Sequence, residues 1–174
     1  MRKTSLALVL VVFIAFSLAQ DRSANHIRNA EIRFDDSTTV AVVEAINRHD
    51  LPLADQLIHT ELSRNPLSLK WLFLRSMRYY TDIFAHGIKN TEALAKMKQD
   101  AERVIEIGEQ RLDNDPRDLT ALFYAGGAYG YLGLASAADG SVFSSVGKAK
   151  KGFNYHEDLI ELCPQCYDAI WVRG

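Results

Sequence analysis

The stretch Leu119-Thr-Ala-Leu-Phe-Tyr-Ala-Gly-Gly-Ala-Tyr-Gly-Tyr-Leu-Gly133 decides the fold. It reads as the first helix of a hairpin. The second helix closes on Leu159-Ile-Glu-Leu-Cys-Pro164, where the proline ends the pair. Beyond it runs Tyr167-Asp-Ala-Ile-Trp-Val-Arg-Gly174, the opening of a further helix.

Working outward, the same grammar of helix, turn, helix and proline recurs. Asp36 or Ser37 caps a helix reaching about Arg48, with Val40, Val43 and Ile46 on its apolar face. His49-Asp50 makes a turn, and Pro52 falls in the first turn of the next helix. That helix carries Ala54, Leu57, Ile58 and Leu62 at three- and four-residue spacing and stops at Asn65-Pro66. A third helix spans Leu69 to about Ala85 and is apolar on most sides, so neighbours are expected to cover it. His86-Gly87 breaks it. A fourth runs from about Thr91 to Leu112 on the stripe Leu94, Met97, Ala101, Val104, Ile105 and Gly108, ending at Asp113-Asn-Asp-Pro116. The fifth covers Leu119 to about Ala137, and the sixth runs from roughly Ser144 to Leu162 after a break at Asp139-Gly140. No segment alternates like a strand. The expectation is all-α, in antiparallel pairs closed by prolines.

The repetition is detailed. Counted from Leu119, the residues Leu122, Ala125, Gly126 and Tyr129 fall at positions four, seven, eight and eleven. Backward from Pro164 come Gly152, His156 and Leu159; backward from Pro66 come Ala54, Ile58 and Glu61; forward from Pro66 come Leu72, Ser76 and Tyr79. On these residues the chain resembles the tetratricopeptide-repeat family, and looks most like an exported bacterial branch with divergent, lengthened repeats. The small eighth residue, Gly126, is the family's point of close helix approach. The resemblance implies a stacked α-solenoid over residues 36–174 that binds a protein or peptide. Pro66 to Pro116 spans 50 residues and Pro116 to Pro164 spans 48, against a family period of about 34. The extra residues lie between the helices of each pair. Gly174 falls on the eighth position of a new first helix, so the repeat domain is expected to be incomplete at its C-terminus, as in a fragment.

The N-terminus sets the compartment. Arg2 and Lys3 precede an apolar run from Leu6 to Phe16 and then Ser17-Leu-Ala19. This is the order of a secretory signal peptide, residues 1–19, cut after Ala19. The apolar run is short for a membrane span, which needs about 20 residues; an uncleaved leader would be the sole membrane contact. Residues 20–35 read as a flexible lead-in with a helical turn around Ala30 to Phe34. Periplasmic or extracellular location follows. Cleavage takes the formal net charge from −2 to −4, two positive charges leaving with Arg2 and Lys3. Such a chain offers no basic footprint for nucleic acid. The sequence does not set an oligomeric state.

Chemistry-bearing motifs are few. Cys163-Pro-Gln-Cys166 holds both cysteines. In an exported chain the pair can persist as a small disulfide. The alternatives are idle thiols, a metal site with His156 on the same helical face, and a redox pair in which Cys166 reacts. A zinc site needs four ligands and only three are in reach; the redox reading lacks a surrounding βαβ unit. Gly126-Gly-Ala-Tyr-Gly130 lacks the spacing of a phosphate loop and is expected to serve helix packing. The histidines form no nucleophile motif. Glu102, Glu106, Glu109 and Gln110 read as a solvated face. No metal, cofactor or catalytic group is expected. Tyr79, Tyr80, Phe123 and Tyr129 are the candidates to border a groove. The functional expectation is a non-catalytic, exported interaction protein. The alternatives are a ligand-binding component beside a solute transporter, as the resemblance allows, and a thiol-redox protein using Cys163 and Cys166.

Overall fold

The computed structural model describes residue 32 and residues 34–87 and 90–166. The expected leader and the residues after Cys166 lie outside these. Among the described residues, six α-helices follow one another: α1 (Ser37–Asn47), α2 (Leu51–Arg64), α3 (Leu69–His86), α4 (Thr91–Asn114), α5 (Leu119–Ala138) and α6 (Val142–Leu162). No strand occurs among them.

The helix starts are written in local chemistry. Carboxylates of Asp36, Asp50 and Asp118 accept from the backbone N–H groups of Thr39, Leu53 and Ala121, at 2.9, 3.3 and 3.0 Å. Ser68 and Asn90 do the same for Trp71 and Ala93. Each satisfies one donor that a helix N-terminus leaves unpaired. α6 alone among the six begins without a side-chain cap bond, at Ser141.

Three turns share one geometry. Asn65-Pro66-Leu67-Ser68, Asp115-Pro116-Arg117-Asp118 and Cys163-Pro164-Gln165-Cys166 each close with a backbone bond from the fourth N–H to the first carbonyl, at 3.2, 3.0 and 3.0 Å. Their first residues have φ/ψ of −139/88, −141/94 and −142/75. Proline holds the residue before it out of the helical region, so each helix ends one residue ahead of it. In the first two turns the fourth residue caps the next helix.

Each helix returns against its predecessor in antiparallel fashion. Asp55 of α2 meets Arg78 of α3, Arg75 of α3 meets Asp100 of α4, and Arg111 at the end of α4 meets Asp118 at the start of α5. Packing falls between chain neighbours, with α3 also touching α5. α5 is the most enclosed: Leu119 to Gly126 are all buried. The covering expected of α3 is present along most of its length, but its last turn is open and Phe84 is 81% exposed. The main core joins Val42, Ile46, Ile58, Leu72, Leu74, Val104, Leu122, Tyr124 and Leu159. Ile32 is buried, and Phe34 packs its ring against Phe123 and Tyr124. The end of the lead-in is thus part of the core.

Candidate functional site

The α5–α6 junction gathers the chain's least ordinary chemistry. A Cβ added to Gly152 would lie 2.5 Å from the Gly126 carbonyl oxygen, and one added to Gly126 would lie 2.6 Å from His156 Nε2. The helices meet there backbone to backbone. The small residues expected at a close approach, Ala125 and Gly126, lie at this interface and at the facing α4 contact. Leu122, Ala54 and Ser76 are buried in the packing between helices, Tyr129 is half-buried, and Pro66 and Pro164 sit exposed in the recurring turns. Gly127 makes room for the Phe73 ring, 2.7 Å from where its Cβ would stand.

His156 lies across this crossing. Its side chain is 95% removed from solvent (5% exposed), and its Nε2–H donates to the Phe123 carbonyl at 3.1 Å. Burial pushes its pKa down, against the carbonyl contact, which pushes it up. The ring is neutral at neutral pH, with its proton on Nε2 and a bare lone pair on Nδ1. Beside it, Gly126, Gly130, Ala149, Phe153 and Ile160 wall a half-open cavity of about 220 Å³, with Glu157 among its lining. A second depression of about 240 Å³ lies between α1 and α3, around Phe34, Val43, Phe73 and Met77.

On its other side α6 is tied to α4. Glu109 Oε1 accepts from Lys151 Nζ at 2.5 Å, Tyr129 OH at 2.7 Å and Tyr155 OH at 3.1 Å. The Lys151 ammonium stands 4.8 Å from the Tyr129 ring centre. Burial pushes the Glu109 carboxyl up, but Lys151 and the two phenols outweigh it and hold it below the usual range. The Glu109 contact raises Lys151. Burial and then Glu109 push Tyr155 up to about 12. Each group is driven further into its ordinary neutral-pH state. A general acid or base is tuned toward working pH instead, so the cluster acts as a clamp joining α4, α5 and α6.

Glu102, Glu106 and Gln110 are solvated as expected, but Glu109 is this clamp's centre. The four groove candidates occupy separate surroundings. Tyr79 and Tyr80 pack near Ile83 and Met97, Phe123 is buried at 5% exposure in the main core, and Tyr129 belongs to the clamp. Arg75 and Asp100 form an unforeseen two-pronged pair at 2.7 and 2.6 Å, with Asp100 only 6% exposed. Asp100 lies on α4's apolar stripe, the one sequence hint that it needs a buried partner.

Cys163 and Cys166 are joined as a disulfide with their Cα atoms 5.4 Å apart, both buried. Cys163 ends α6, and its N–H donates to the Leu159 carbonyl. The bonded sulfurs leave His156 no thiolate to share a metal with. Among the described residues, no group of three or more His, Cys, Asp or Glu is placed to hold a metal ion, and no helix is long and apolar enough to cross a membrane. No protein-family model, curated protein or solved structure matches the chain.

Proposed function

We propose that this chain is an exported, non-catalytic helical-repeat protein of tetratricopeptide-like architecture that presents a helical surface to a protein or peptide partner in the cell envelope. The observation that carries the reading is the recurrence of one turn. Three proline turns, 50 and 48 residues apart in sequence, share hydrogen bond and backbone angles. Recurrence at a fixed interval favours stacked units over a bundle with unrelated connections.

The surface that fits such a role is the first half of α6. Val142, Phe143 and Val146 are 66, 95 and 62% exposed. Apolar side chains grouped on one helix, and not scattered singly, mark an interaction face. Photo-crosslinking from position 143 in envelope extracts tests the reading. A discrete partner band is expected, lost in the variant Phe143→Ser/Val146→Ser while its helical circular dichroism is kept. A chain that crosslinks to nothing discrete sinks the proposal.

A further inference from the structure

We infer that the cavity between α5 and α6 is a binding site for a small neutral aromatic molecule carrying one N–H or O–H donor, of indole size, received by Nδ1 of His156. The inference goes beyond the surface-presentation reading and does not depend on it.

The argument begins with the ring. The Cδ2–Nε2 edge of His156 is the edge turned to Gly126, where a Cβ would come within 2.6 and 2.7 Å of those two atoms. Imidazole geometry puts Nδ1 on the opposite edge. Nε2 spends its proton on the Phe123 carbonyl, which fixes Nδ1 as an acceptor. Nδ1 has no hydrogen-bond partner among the described residues, and it is not among the buried side-chain atoms sealed from solvent without one. His156 lines the cavity. A residue 95% removed from solvent thus keeps one open acceptor, and the space it opens on is the cavity. Buried acceptors are normally satisfied, so a donor belongs there.

The walls set the rest of the ligand. Ala149, Phe153 and Ile160 are apolar, and the glycines of α5 and α6 supply flat backbone surface on which a ring can lie. A dry apolar cavity of about 150 Å³ takes a benzene ring; about 220 Å³ accommodates a fused pair. Glu157 among the lining groups disfavours an anionic ligand. The cavity is built into the backbone crossing, because Gly126 and Gly152 hold the helices at fixed separation. Little ordering is then lost on binding.

The probes are indole and 1-methylindole, which differ by the one donor. Full-length chain labelled with 15N-histidine is titrated with each and followed by NMR. Indole is expected to saturate and to move the His156 Nδ1 resonance, and 1-methylindole to bind at least about tenfold more weakly, the cost of leaving one buried acceptor unpaired. Gly130→Leu places a side chain in the cavity mouth where a Cβ meets nothing within 4 Å, and should abolish binding. Gly147→Leu, equally open but away from the cavity, should leave it unchanged and shows that the fold tolerates such a change. Equal affinity for the two probes overturns the assignment of Nδ1. Indole binding that survives Gly130→Leu, or indole failing to saturate at millimolar concentration, overturns the site.

Discussion

Replacing Gly152 with alanine tests the backbone crossing directly. The new Cβ would stand 2.5 Å from the Gly126 carbonyl oxygen and 3.1 Å from Tyr129 Cβ. An unstrained carbon–oxygen approach is about 3.3 Å, so α5 and α6 must part by about 0.8 Å at that point. Neither contact is the end of a flexible side chain, so the strain cannot be relieved by a rotamer change. Overpacking of this kind costs about 1–3 kcal/mol. Alanine's better helix propensity offsets about 1 kcal/mol of that. The expected net loss is about 1–2 kcal/mol. Gly147→Ala on the same helix is the control, because its Cβ meets nothing within 4 Å. It should gain about 0.5–1 kcal/mol.

The two substitutions are chemically identical and opposite in expected sign. Urea unfolding followed by circular dichroism separates them. At a slope of about 2 kcal/mol per molar, the midpoints should differ by about 1 M, with Gly152→Ala the lower. Equal midpoints would mean that the helices do not cross at Gly126 and Gly152. The cavity and the position of His156 would then lose their basis.

Three further expectations follow from the buried polar groups. His156 is held below its ordinary pKa, so the unfolded chain binds a proton that the folded one resists; the contribution is complete above about pH 6.5 and falls away as the pH drops toward the folded value. Unfolding midpoints measured from pH 7.5 to 5 should decline, and His156→Gln should flatten its share of the slope. Asp100→Ala leaves the Arg75 guanidinium without its carboxylate and should cost about 2–3 kcal/mol, discounted from the fully buried case because Arg75 is 34% exposed; Arg75→Leu/Asp100→Leu should recover most of it, and strictly additive single losses would count against a coupled pair. Reducing Cys163–Cys166 should lower stability by about 2 kcal/mol at most, as the closed loop is so short. A thiol count should find no free sulfhydryl before reduction, and a Cys163→Ser/Cys166→Ser chain should not respond to reductant.

How far the fold was legible depends on the range of the interaction. Helix starts and stops are local, and Asp36, Ser68, Asp118 and the prolines mark them where the structure has them. Gly126 was readable as a packing glycine because it sits in a run of small residues. Gly152 was harder: against the repeat pattern it looks like a departure from alanine. Its reason is the Gly126 carbonyl on another helix, which allows no methyl group. Glu109 resisted altogether. It stands among exposed acids on α4, and its main partner, Lys151, lies 42 residues away. Nothing within one helical turn distinguishes it from Glu106. Phe123 failed as a groove residue for the same reason, since its covering ring, Phe34, comes from the far end of the chain.

The distribution of ties along α6 has a dynamic consequence. Its C-terminal half is held by the Glu109 clamp through Lys151 and Tyr155, by His156 on the Phe123 carbonyl, by buried Leu159, and by the disulfide turn. Its N-terminal half has no cap bond, and Val142, Phe143 and Val146 bury little. Only Ser144 and Lys148, both on the Ser136 hydroxyl, and the approach of the Ser145 carbonyl to Gly133 fasten it. Local opening free energy follows buried apolar contact. Amide hydrogen exchange should therefore be faster over residues 145–150 than over 154–162. The lower half of that gradient coincides with the exposed apolar face, so a partner docking there would pair burial with ordering and slow exchange selectively in residues 145–150. Uniform protection along α6 would show that its start is stabilised by contacts other than these, and would remove the link between low local stability and the proposed surface.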